Sequence, residues 1–173
     1  MPDSVFTFRM PAGIPGECSR FNVVGTTIKP ENQNATTPVT AFGQVVTIDA
    51  GGVRPIAGTD TAAVATPVGI SVRPYPTSDI TVAYPGVVPF GPGAPAAKGV
   101  VDVLYRGYVT MKLNGGTAAA KGGVVYVWYG ATGGGHVTAG IEAAAGATGW
   151  AIPRTYFAGP ADAQGNVEIM FDI

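Results

Sequence analysis

Twenty-six glycines and fifteen prolines are distributed through the 173 residues of the chain. Glycine gives up the most backbone freedom in a helix, and proline removes a donor and clashes with the preceding turn, so this density leaves little room for long helices. It suits short strands joined by turns. Hydrophobic residues make up 46% of the chain, enough to bury a core and too many for an intrinsically disordered sequence. Charged residues make up only 12%, about half the usual share of a soluble domain. The surface of such a fold is therefore largely neutral.

Period-two alternation marks the strands. Phe6, Phe8 and Met10 fall on one side of an extended segment, with Thr7 and Arg9 on the other, and Pro11 ends it. Residues 11–41 read as irregular chain, with the polar run 29–34 as an exposed loop, so that residues 1–41 form an N-terminal arm and irregular segment. Residues 44–49 and 53–56 flank Ala50-Gly51-Gly52, a hairpin signature. Residues 66–76 form a strand studded with prolines, whose ends lie at an edge or leave the sheet. Residues 84–98 are dense in proline and glycine and read as a long ordered loop. Strong strands follow at 100–113 and 124–129. At the end of the chain Val167, Ile169, Phe171 and Ile173 alternate with Glu168, Met170 and Asp172, which predicts a half-buried terminal strand. Residues 141–145 are the one candidate helix, closed by Gly146. The strings at 96–105 and 119–129 echo each other, and a shared Ala/Gly turn before a Val-rich strand explains this more simply than duplication. The pattern predicts a single all-β domain over residues 1–173: a sandwich or a barrel, with a jelly roll among the options, carrying an extended N-terminal arm and long Pro/Gly-rich loops.

The charges exclude one large class of partner. Ten Lys and Arg against eleven Asp and Glu give a net charge of −1, and no window clusters the cations, so direct binding of nucleic acid is not expected. Cys18, the single cysteine, cannot form an intrachain disulfide, and no Cys/His cluster offers a metal site. The first residues lack the basic and apolar regions of a secretory signal, and no run of about 18 apolar residues offers a membrane span. Synthesis in a cytoplasm is the corresponding expectation.

Chemistry is equally sparse. His136, the single histidine, follows three glycines and lacks a nucleophile motif, so it reads as a solvated loop residue. Cys18 reads as a small packed hydrophobe. The glycine runs match no phosphate-binding pattern. Asn34-Ala35-Thr36 is a glycosylation sequon of little weight without a secretory signal. Asp49, Asp60 and Asp79 lie near turns, where side-chain to backbone bonding explains them better than calcium. No enzymatic activity, catalytic residue, cofactor or metal is expected. The aromatic residues remain, among them Tyr105, Trp128, Tyr129 and Trp150. Alternation puts Tyr126 and Trp128 on one face of their strand and Val125, Val127 and Tyr129 on the other. Each ring can serve as core, as a platform for sugars, or as a contact with another subunit.

Five strings occur together and in order: residues 8–16 (FRMPAGIPG), 69–76 (GISVRPYP), 106–113 (RGYVTMKL), 119–127 (AAKGGVVYV), and the ending from Gly159-Pro160-Ala161-Asp162 to Ile173. Together they resemble the structural cement, or capsid decoration, proteins of tailed bacteriophages, nearly end to end. The resemblance implies a non-enzymatic viral structural protein on the outer surface of the virion capsid, made in the bacterial host cytoplasm. It implies a major capsid protein as partner, whose neighbouring subunits the chain braces, and self-association as a homo-oligomer, dimer or trimer. On that reading Phe6, Phe8, Arg9 and Met10 in the arm, with Arg73 and Tyr75, clasp neighbours, and Tyr105, Trp128 and Tyr129 are further interface residues. The alternative from another class is a carbohydrate-binding β-module of an adhesion or tail-fibre protein, stacking sugars on Trp128, Tyr129 or Trp150.

Overall fold

A computed structural model describes residues 13–20, 25–58, 60–62, 65–73, 95 and 99–172. Among them are nine strands and no helix: β1 (Thr27–Asn32), β2 (Val45–Asp49), β3 (Gly52–Pro55), β4 (Gly69–Val72), β5 (Val100–Lys112), β6 (Val124–Trp128), β7 (Ile141–Glu142), β8 (Gly149–Phe157) and β9 (Asn166–Asp172). They form one sheet in the order β3-β2-β4-β5-β9-β8-β6-β7, with β1 also on β5, curled into a half-barrel. The all-β expectation holds in its barrel form.

β2 and β3 make the predicted hairpin. Asp49 pairs with Gly52 across the two-residue loop Ala50-Gly51, and Asp49 Oδ1 accepts the Gly51 N–H at 2.8 Å. This is the Asx-turn expected of Asp49. In both echoing strings the glycine after lysine, Gly99 and Gly122, has a positive φ of 116° and 77°. Both therefore need glycine for a turn into a valine-rich strand, which accounts for their likeness.

Two readings are corrected. Residues 29–34 are not a loop, since β1 runs antiparallel to β5 from Thr27↔Arg106 to Asn32↔Val100. Its polar side chains and Pro30 suit a half-exposed strand at a sheet margin. The expected helix at 141–145 is instead the short strand β7. Ile141 is fully buried and pairs with Val127, so tertiary packing overrides the helical preference of Glu-Ala-Ala-Ala.

Burial divides the sheet into two regions. On one face Val109, Met111, Val125, Val127, Ile152, Phe157, Val167, Ile169 and Phe171 join Val45, Ile70 and Leu104 in the main core. Val39, Val46, Val53, Val101 and Val103 form a second cluster. The sequence neighbours Val45 and Val46, and likewise Val103 and Leu104, enter different clusters. The sheet is thus covered on both faces around β2, β4 and the start of β5. Along β9 only Val167, Ile169 and Phe171 are buried, while Glu168 and Met170 are half-exposed. Cys18 belongs to the main core, and burial pushes its thiol pKa up, in keeping with a packed residue.

Arg54 ties down the β3 margin. Its Nε donates to Asp49 at 2.8 Å and its Nη2 to Asp60 Oδ1 at 2.9 Å, while the Ala57 N–H donates to Asp60 Oδ2 at 2.9 Å. The hydrogen bonds from Arg54 hold the Asp60 carboxyl below its ordinary value of 3.8. Because the folded-state value is the lower one, the stabilisation is present above pH 3.8 and is lost as the pH falls through the folded value. Asp60→Asn is therefore expected to flatten the acid limb of a plot of unfolding free energy against pH, measured by urea titration. Acid limbs of equal slope would show that the pair contributes nothing there.

Candidate functional site

Phe6, Phe8, Arg9, Met10 and Tyr75 lie outside the described residues, as do Asp79 and most of residues 84–98. The other expected interface residues are half-buried and engaged within the chain. Arg73, just past β4, donates its backbone N–H to Gly16 O at 2.8 Å and its Nε to Pro15 O at 3.2 Å, with its guanidinium 5.0 Å from the centre of the Phe42 ring. Tyr105 on β5 donates its phenol to Glu31 Oε1 at 2.6 Å, and Lys29 Nζ stands 5.0 Å from its ring centre. Burial, then the Glu31 carboxylate, pushes this phenol pKa up to about 12. Tyr129 Oη donates to Ala147 O at 3.2 Å, and its ring packs against the main core. Arg73, Tyr105 and Trp128 each engage a different part of the chain rather than meeting in one cleft.

Trp128 ends β6, and the His136 ring stacks on it with centroids 4.3 Å apart and planes 22° apart. His136 Nδ1 is hydrogen-bonded to Glu142 Oε1. The expectation of a solvated histidine is therefore corrected: the turn folds its imidazole onto Trp128 and a buried carboxylate. The sugar-stacking option finds these rings already engaged. One face of Trp128 carries His136, and Trp150 packs against the core while donating Nε1 to Asp60 O at 3.0 Å. Among the described residues no three His, Cys, Asp or Glu side chains converge to hold a metal, and no helix is long and apolar enough to cross a membrane.

The outward side of the one-sided region carries a continuous apolar row. In register, Tyr108 of β5 pairs with Met170 of β9, Met170 with Tyr156 of β8, and Tyr156 with Val124 of β6. Val124 and Tyr156 are 42% and 43% exposed. An open groove of about 420 Å³ runs over Tyr108, Met170 and Tyr156 between Arg20 and Lys121. Arg20 lies 4.2 Å from the Tyr108 ring centre and grips Glu168 through Nε to Oε1 at 2.9 Å and Nη2 to Oε2 at 2.5 Å. Burial raises the Glu168 pKa, but the bonds from Arg20 and Ser19 outweigh it and leave the group below its ordinary range. Beyond Tyr108, Arg106 pairs with Asp172 at 3.3 Å. Sequence alone marks Tyr108 and Tyr156 as aromatic and puts Met170 on the polar side of its strand. Only register across four strands joins them with Val124.

The described residues thus form a curled all-β sheet with an apolar row on one face and ion pairs beside it. Residues 1–172 match the family model described as "Structural cement protein (E217 gp24/Pam3 gp6)". The chain belongs to this family of phage structural cement proteins. Comparison with curated proteins gives no match. A solved chain from "The capsid of Myoviridae Phage XM1" shares the fold, with a TM-score of 0.67 over 99% of this chain and 97% of that one, at 16% identity.

Proposed function

We propose that this protein is a non-enzymatic clamp on the outer surface of a phage capsid, bridging neighbouring major capsid protein subunits. The observation that carries this reading is the family match over residues 1–172. The near-zero net charge supports it, because an outer shell surface needs no cationic face for packaged DNA. In this reading the β-domain supplies rigidity and self-association as a dimer or trimer. The segment with Phe6, Phe8, Arg9 and Met10, together with Arg73 and Tyr75, reaches across subunit junctions. Contacts on several subunits must then break together when internal pressure pushes them apart.

Purified protein is expected to co-sediment with empty mature capsids and to appear at fixed positions on their outer surface by electron microscopy. Absent or random binding would sink this reading. Deletion of residues 1–12 is expected to lower occupancy strongly while the domain keeps its thermal transition. Undiminished decoration by the truncated protein would remove the arm from the mechanism.

A further inference from the structure

We propose that the outward face of β5, β9, β8 and β6 docks an apolar, carboxylate-bearing segment of the capsid partner. The inference rests on the cement reading above and adds to it a surface and a partner chemistry. Tyr108, Met170, Tyr156 and Val124 line up in register across four adjacent strands, and two of them are more than two-fifths exposed. The same strands bury their other side in the main core, so among the described residues this row forms the outward side of a rigid platform, with only Arg20 laid over the Tyr108 ring. A contiguous apolar strip with polar flanks is a usual mark of a protein contact, and tyrosine and methionine are enriched in such contacts.

Charge selects the occupant. The carboxylates beside the row are already taken, Glu168 by Arg20 and Ser19, and Asp172 by Arg106. Lys121 flanks the groove and Arg154 lies two residues before Tyr156; both are exposed, and neither has a side-chain partner among the described residues. An unpaired cation, Lys121, thus stands at the rim of the apolar groove, with Arg154 exposed in the adjoining irregular stretch of β8, although the whole chain is at −1. Self-docking about a two-fold axis would bring two copies of this cation-rimmed face together without supplying a carboxylate to pair Lys121. A segment with apolar side chains and Asp or Glu at its flanks meets both features of the face.

The test uses the full chain and purified empty mature capsids. The double variant Lys121→Glu/Arg154→Glu is expected to bind capsids about tenfold more weakly or worse, with an unchanged thermal transition. Wild-type binding should fall as salt rises. A benzoylphenylalanine photo-crosslinker at position 156 is expected to capture a capsid peptide containing Asp or Glu. Wild-type affinity in the double variant, or crosslinks only to a second copy of this chain, overturns the proposal and leaves the cement reading standing. Failure of the unaltered protein to bind capsids overturns both. Should the double variant misfold, the crosslinked peptide decides.

Discussion

Phe171→Ala is expected to lower the unfolding free energy by about 3–5 kcal/mol, measured by urea denaturation followed by circular dichroism. The ring is fully buried in the main core, on a strand that pairs with β5 on one edge and β8 on the other. Its cross-strand partner is Gly107, which has no side chain to move into the space the ring leaves. A strand bonded along both edges cannot collapse into the cavity, so the lost transfer energy and the void add. Against a domain stability of about 5–15 kcal/mol, the variant loses a large share of its margin. Met170→Ala, one position away and facing outward, is the matched control and is expected to cost far less. Equal losses from the two variants would mean that β9 does not present its sides as described.

Gly69→Ala is expected to destabilise by about 3 kcal/mol, the upper end for an overpacked core. Gly69 opens β4 and is buried where that strand crosses close to β5. A β-carbon there would collide with the Val103 side chain and lie 2.7 Å from the Leu104 carbonyl oxygen. Neither can yield cheaply, because Val103 is packed in the second cluster and the carbonyl belongs to the central strand. The effect should appear as a lowered denaturation midpoint with an unchanged slope. The double variant Gly69→Ala/Val103→Ala should recover part of the loss, since it removes the nearer obstacle. A single variant as stable as the parent would show that β4 and β5 are not so close.

Strands whose signal is local were legible in the sequence. Alternation located β9, the Ala-Gly turn located the hairpin, and runs of valine located β5 and β6. β1 was illegible because Pro30 and its charged neighbours look like loop, and only pairing with β5 makes them a strand. β8 was obscured because Pro153 and Arg154, the latter with a φ of 49°, interrupt it between Ala151, paired with β6, and Tyr156, paired with β9. Ile141 pairs with Val127 to form β7, a contact 14 positions away in sequence that no local propensity encodes. The same limit applies to the surface. Sequence could supply aromatic residues and a low charge, but which ones share an open face depends on register between strands distant in the chain. His136 is the clearest case, since a glycine-rich turn says nothing of the carboxylate and indole it folds against.

β5 is a thirteen-residue strand whose residues 102–104 pair with β4 on one edge and β1 on the other, and whose residues 106–112 pair with β9. Gly16, Glu17 and Ser19 bond to its Tyr108 and Thr110 backbone groups. A strand gripped along both margins cannot be unzipped one bond after another from a free side. A pull along its length loads many backbone bonds in shear at once, and they share the force instead of failing in turn. If the protein clamps capsid subunits as proposed, β5 is the member that carries the tension, and even the two-residue β7 is held on both edges, by Val127 on one and Leu113 on the other.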